Sequence, residues 1–262
     1  MTGSITFHAA AHDGVARVVL ANPGKLNAID IAMWRELHTL FDELQAMPPA
    51  DAPRAIVVSG DAGQFASGGD IVEFASFRFD EARLHDFHEH IVAPALHAMF
   101  DCDIPLFAQI DGGCIGGGFE IAACCDIRIC GAASRFGAPI AKLGFPMAPG
   151  ELELLTPLVG AATMRELLLE ARLLDASRAL QLGLVHAVVA DAEVATHTLQ
   201  RAQQAAALSP QAARINKRTL RQIARGGASV DERRAHFGYA HSDEHREGVT
   251  AFIEKRAPRF GP

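Results

Sequence analysis

The chain has 262 residues, 49% of them hydrophobic, and a formal charge of −7. That length and apolar share are enough for a sizeable core, in one large domain or two small ones, so disorder is not expected. The acidic balance argues against a nucleic-acid or anionic-membrane partner, which needs a dominant basic face, so any phosphate must be met by local groups.

Cys102, Cys114, Cys124, Cys125 and Cys130 are odd in number, sit mostly among apolar residues and lack C-x-x-C spacing. This suits reduced, packed thiols better than disulfides or structural zinc. Met1 to Ala11 lacks the basic start and apolar run of a signal peptide, and no later stretch approaches a membrane span, so the expected location is the cytoplasm.

In chain order, Val15–Leu20, Ala55–Ser59 and Leu106–Ile110 are short apolar runs rich in β-branched residues and closed by turn formers, the pattern of buried strands. Between them lie helical patterns. Trp34, Leu37, Leu40, Phe41 and Leu44 recur at helix spacing after a cap at Asp30, and Leu84 to Met99 predicts a second helix. Alternating strands and helices imply an α/β core. From about Gly150 the chain turns Leu/Ala-rich and helical, with a helix from Asp175 to Gly183, another starting at Pro210, and capping-box spacing at Ser229-x-x-Glu232. The expected division is a core over residues 1–200 and a C-terminal helical region over 201–262.

Two glycine-rich loops carry the chemical signal. Gly60-Asp-Ala-Gly-Gln-Phe-Ala-Ser-Gly-Gly-Asp-Ile71 follows a predicted strand, and the adjacent Gly68 and Gly69 let a ligand approach the main chain closely. Gly69 and Asp70 stand where a nucleotide P-loop needs Lys and Ser/Thr, so that reading fails. Asp111-Gly-Gly-Cys-Ile-Gly-Gly-Gly-Phe-Glu120 follows a second predicted strand and satisfies no G-x-G-x-x-G register, which removes a Rossmann fingerprint. What remains is a helix start whose exposed N–H groups suit an anion or a developing oxyanion. Each loop alone more often serves chain reversal. Together, two such loops can aim one N–H each at a single oxygen, as enolate or tetrahedral chemistry requires. Glu120, in the first turn of that helix, reads either as a carboxylate placed against the helix dipole or as a partly buried base.

These segments resemble the crotonase, or enoyl-CoA hydratase/isomerase, superfamily along nearly the whole chain. The resemblance rests on Asn22-Pro-Gly-Lys-Leu-Asn-Ala28, Phe65-Ala-Ser-Gly-Gly-Asp-Ile71, Gly116-Gly-Gly-Phe-Glu120 with Cys125-Asp-Ile127, and Asp175-Ala176 with Gly183-Leu-Val185. It continues through Ser209-Pro210 with Asn216-Lys217 to the ending Ala251–Phe260. It implies an α/β fold, a crotonase-like spiral of ββα units with a C-terminal helical region, assembled as a homotrimer or dimer of trimers. It also implies an acyl-CoA substrate, no tightly bound cofactor beyond coenzyme A as part of that substrate, and no metal.

By position, the resemblance makes Gly69 and Gly117 the donors of an oxyanion hole and Glu120 the acid/base. Asp70, Ile71 and Val72 border the acyl and pantetheine path, and Gly68 is a further coenzyme A ester contact. Lys25 and Ala66 approach the adenine and phosphates, and Lys255 is a further phosphate partner, from a neighbouring subunit in one version. One departure matters: where the family's second glutamate follows Pro, this chain has Ile140. Isomerase- or decarboxylase-like chemistry is therefore open beside hydration. Glu151 reads either as a relocated second carboxylate or as an acid in the first turn of the next helix. A different class of reading, prompted by Ile140, is a non-catalytic acyl-CoA binder or assembly subunit.

His85, His88 and His90 suit a solvated or pocket-lining helix better than a metal site, and His241 with His245 lack the Glu of a zinc protease motif. Ser67 is in no G-x-S-x-G elbow.

Overall fold

A computed structural model describes residues 2–10 and 13–261; Met1 and Ala11 of the leader reading lie outside them. Two short sheets and a set of helices form the fold. Strands β1 (Ser4–His8), β2 (Val15–Ala21), β3 (Ala55–Gly60) and β4 (Leu106–Ile110) follow one another across the larger sheet. It is completed by β6 (Ile127–Gly131) and β9 (Ala187–Val189), and all pairings except β1 with β2 are parallel. The smaller sheet runs β5 (Gly113–Ile115), β7 (Arg135–Gly137), β8 (Leu174–Asp175).

The three predicted strands form as read, because their residues are buried on both faces. The others were missed. They are short, and several carry Arg or Gly, so neither alternation nor a long apolar run marks them.

The first helix, α1 (Ile31–Ala46), starts at Asp30, whose carboxylate accepts the Met33 N–H at 2.8 Å, and it buries Trp34, Leu37, Phe41 and Leu44. A one-turn helix α2 (Ile71–Phe74) leads to α3 (Glu81–Phe87), a π-helical turn (His88–Val92) and α4 (Ala93–Asp101). The helix expected over Leu84–Met99 is thus continuous but carries an extra-residue bulge, a feature that often occurs at functional sites.

Helix α5 (Gly117–Ala123) starts directly after the glycine loop. It is followed by α6 (Pro149–Val159), α7 (Ala161–Leu169), α8 (Ala176–Gln181) and α9 (Val194–Ala206). The expected division at residue 200 falls inside α9, whose Ala202 and Ala206 pack with Val57, Phe107 and Ile129 on the larger sheet. The C-terminal helical segment begins after it, with α10 (Pro210–Ala224), α11 (Val230–His236) and α12 (Asp243–Ile253).

Side chains from the core tie α10 to the sheet layer. Asp103, buried, accepts from Arg221 at 2.7 Å and from Arg218, while Lys217 donates to the Ile104 carbonyl at 2.8 Å and pairs with Asp126 at 2.7 Å. Burial raises the Asp103 pKa, but the two guanidinium groups outweigh it, so the carboxyl titrates below its ordinary range. All five cysteines are buried free thiols, and burial pushes Cys125 and Cys130 up to about 12. Among the described residues no helix is long and apolar enough to cross a membrane.

Candidate active site

The two glycine loops lie against each other. Ala66 N–H donates to the Gly113 carbonyl at 2.9 Å and Ile115 N–H to the Ala66 carbonyl at 3.0 Å, a short parallel bridge between the loops. Phe65 N–H reaches the Asp111 carbonyl at 2.7 Å, and the Gln64 side chain caps the Gly113 N–H at 3.0 Å.

Only glycine fits at this seam. A Cβ on Gly118 would sit 2.6 Å from the Ala66 Cβ and 2.9 Å from its carbonyl oxygen. Gly116, at φ +49°, and Gly68, at φ +107°, hold backbone angles that side chains rarely adopt.

The Asn22–Ala28 segment clamps this pair from outside. Asn27, itself at φ +57°, donates its amide to the carbonyls of Asp61 (2.9 Å) and Gln64 (2.7 Å), and Asn22 donates to the Ala28 carbonyl at 2.7 Å. Ile29 N–H then takes the Gly68 carbonyl at 2.7 Å, and Asp70 N–H takes the Ile29 carbonyl at 2.9 Å. Every hydrogen bond here turns the chain around Gly69 without using its N–H.

Gly69 and Gly117 both line one small cavity, of about 60 Å³, and among the described residues neither N–H has an acceptor in the chain. Gly117 is the first residue of α5, so its N–H is one of the donors a helix leaves unpaired. Glu120, three residues on, is 7% exposed and lines the same cavity. Gly69, Gly117 and Glu120 therefore line one space, with both glycine N–H groups unpaired among the described residues.

Glu151 enters that space from α6. It is 3% exposed, and its carboxylate bonds the His88 ring nitrogen Nδ1 at 2.5 Å. Pro149 at the start of α6 places Glu151 in its first turn, as one sequence reading had it; the other reading, a carboxylate facing the pocket, describes the same residue. Sequence treated the two as alternatives. The fold places Glu151 in the first turn of α6 and in the cavity lining as well, so its position in the helix does not exclude the other reading.

Glu120 titrates well above the ordinary carboxylate range. Burial is the main cause, the negative charge of Glu151 adds to it, and Arg78 opposes it. Two carboxyl groups in one small cavity cannot both ionise cheaply, and this favours the protonated form of Glu120 more than in a free carboxyl. Such a pair can donate a proton at one atom and accept one at another.

The remaining lining is Trp34, Phe74, Arg78, Phe87, His88, Val92, Ile140, Phe145, Pro146 and Met147. Ile140 lies in the 3₁₀ turn Pro139–Leu143 and contributes only hydrocarbon to the wall.

Of the other expected site residues, Asp70 is buried at the cap of α2, where its carboxylate accepts Val72 N–H at 3.1 Å and pairs with Lys25 at 2.5 Å. The Lys25 ammonium is therefore engaged by Asp70, which raises its pKa. Ala66 is 1% exposed and serves the bridge between the loops. Ile71 and Val72 are exposed and do not line the cavity. Lys255 is exposed beyond α12, at φ +56°, and is likewise not part of the lining.

Sequence reasoning missed Arg78 and did not single out His88 beyond a pocket-lining helix. The only local signal for His88 was its place on a solvated or pocket-lining helix within a polar stretch, and the π turn that starts there carries no sequence signature. Among the described residues no group of three or more His, Cys, Asp or Glu side chains is placed to hold a metal.

The α/β fold, with its two paired glycine loops, is that of a crotonase-type protein. The chain belongs to the enoyl-CoA hydratase/isomerase family, whose model matches residues 10–262. It is 32% identical over 94% of its length to a probable enoyl-CoA hydratase of Mycobacterium bovis, of which 94% is covered. It is 34% identical over 95% of its length to the corresponding protein of Mycobacterium leprae, of which 96% is covered. Among solved structures it is similar to an enoyl-CoA hydratase/carnithine racemase of Magnetospirillum magneticum, with a TM-score of 0.91 and 31% identity. That alignment covers 98% of this chain and 96% of the other. The fold expected from the resemblance is the fold observed.

Proposed function

We propose that the protein hydrates a short 2-enoyl-CoA thioester reversibly, with Glu151 in the place of the carboxylate missing at Ile140. The observation that carries this reading is the burial of Glu120 and Glu151 in the cavity that also receives the free N–H groups of Gly69 and Gly117. In this scheme the thioester oxygen accepts both N–H donors, so negative charge gathers there as the enolate forms. A water held between the carboxyl groups adds at the third carbon while its proton passes to the carboxylate of Glu151. Glu120 delivers its proton to the second carbon. The 2.5 Å contact to His88 orients Glu151 for this task.

Isomerisation and decarboxylation need the enolate but no bound water. The second carboxylate favours hydration, and the small cavity leaves room for a water beside a short acyl group. Replacing Glu151 by Gln tests this. It is expected to lower the hydration rate of a short enoyl-CoA by about 10²- to 10⁴-fold, measured as incorporation of ¹⁸O from labelled water. Solvent deuterium exchange at the second carbon, which depends on Glu120, should survive better. Hydration unaffected by Glu151→Gln would reject the two-carboxylate scheme, and coenzyme A ester binding without exchange or hydration on any ester would favour a non-catalytic binder.

We further propose that the chain self-associates through its C-terminal helices. Leu220, Ile223, Phe237, Phe252 and Ile253 are between 61% and 86% exposed, more large apolar surface than a monomer ordinarily leaves in water. Light scattering should give a trimer or a multiple of it. A monomeric mass at micromolar protein would refute the assignment.

A further inference from the structure

Arg78 is a cation in the acyl cavity whose hydrogen bonds are unspent. Its guanidinium carbon lies 4.0 Å from the centre of the Phe74 ring and 3.8 Å from that of Phe145, in the corner of two rings set at 78° to each other. Those rings cover the guanidinium and attract its charge, but they leave its in-plane N–H edges without acceptors. The Nε atom is buried with no hydrogen-bond partner among the described residues. Glu151, the nearest candidate ion partner by charge, is taken by His88.

A buried donor of this kind is costly when left unmade, and arginine cannot escape the cost by giving up its proton. Only an acceptor that arrives with the ligand, or water in its absence, can complete it.

The position of Arg78 says which part of the ligand that is. The chain runs from Gly69 through α2 to Arg78, and the Phe74 ring packs at both ends of that path: a Cβ on Gly69 would lie 2.8 Å from Phe74 Cζ. One phenyl ring therefore separates Arg78 from the thioester-oxygen donors. A cavity this small has no room for the coenzyme A phosphates, so the group that reaches Arg78 is the acyl group.

We propose that Arg78 receives a carboxylate at the far end of the acyl chain, so that the preferred substrates are coenzyme A thioesters of short dicarboxylic acids. This rests on the acyl-CoA reading of the site given above. A planar guanidinium with a free edge matches a carboxylate with two parallel hydrogen bonds. Arg78 is the one cation among the charged groups lining the cavity, beside Glu120 and Glu151, and Glu151 is already bonded to His88, so the guanidinium edge is the group a terminal carboxylate would meet.

The test compares esters of equal carbon number with and without the terminal carboxylate. Glutaryl-CoA and pentanoyl-CoA measure binding by calorimetry, and glutaconyl-CoA and 2-pentenoyl-CoA measure kcat/KM. The wild-type protein should prefer the acid member of each pair by about 10- to 100-fold, the worth of one charge-assisted contact. Arg78→Met should remove that preference, mainly through KM, and Arg78→Lys should keep part of it. Thermal melts confirm that each variant folds.

A wild-type protein that binds the neutral ester equally well, or an Arg78→Met variant whose acid-to-neutral ratio is unchanged, would overturn the proposal. The binding arm separates the two readings. A preference for glutaryl-CoA without turnover of either enoyl ester sinks the hydration scheme and leaves Arg78 standing, whereas turnover of both with no preference does the reverse. If neither ester binds, the acyl-CoA reading falls and this assignment with it.

Discussion

Replacing Glu120 by Gln is expected to lower kcat on any short enoyl-CoA by about 10³-fold or more, in line with loss of a positioned proton donor, while the folded protein becomes more stable at neutral and alkaline pH. The two effects have one cause. Glu120 is buried beside Glu151, and both burial and that neighbouring charge raise its pKa in the folded chain.

The sign follows from linkage. A carboxyl whose folded pKa lies above its unfolded value near 4.5 contributes most favourably below that value. The contribution is lost as pH rises through the folded pKa, because the folded state must then hold a buried charge. Gln never ionises, so the gain in Tm of Glu120→Gln over wild type should be negligible near pH 4.5 and grow toward pH 8. Melts across that range check it. A variant that loses stability at pH 8, or keeps wild-type kcat, would remove Glu120 as the strained proton carrier.

The second large effect is expected from Gly118→Ala, a change of one methyl group that touches no reacting atom. The new Cβ would meet the Ala66 Cβ at 2.6 Å and the Ala66 carbonyl at 2.9 Å, and neither can turn aside: one is fixed to the backbone and the other accepts the Ile115 N–H. The loops must part. Overpacking of this kind costs about 1–3 kcal/mol of stability.

Displacing the Gly117 donor from the Gly69 donor should lower kcat by about 10²- to 10³-fold, the usual penalty for a lost N–H at a developing oxyanion. KM should change less, since the ground-state carbonyl uses the donors weakly. Gly238→Ala is the matched control, because a Cβ there meets nothing within 4 Å; it should behave as wild type. Full activity in Gly118→Ala would mean that the paired loops are not what aligns the donors.

Much of this site was legible one segment at a time. Gly68-Gly69 and Gly116-Gly117-Gly118 stand out in sequence because a close backbone seam tolerates no side chain, and that demand is local. Asp30, Asp175, Ser209 and Ser229 mark helix starts for an equally local reason: each side chain accepts an N–H two or three residues on.

Residues that act by meeting a distant partner were not legible. Glu151 was left between two roles because its first-turn position is a property of α6, whereas its burial depends on His88, 63 residues earlier. Arg78 follows a one-turn helix among Phe74, Phe77 and Phe79, and no spacing in that segment marks it as part of a site. Only the rings of Phe74 and Phe145, brought together by packing, hold it as a half-buried cation at the cavity wall.

The sequence by itself determined the α/β class, the three buried strands, the capped helices and the two glycine loops where main chain is approached closely, because each depends on what neighbouring residues allow the main chain to do. Only the tertiary structure decided that both loops line one cavity, that Ile140 leaves a wall of hydrocarbon there, and that Glu120, Glu151 and Arg78 bring charged groups into it beside His88. Charge, burial and reach are relations between segments far apart in the chain, and folding alone sets those distances.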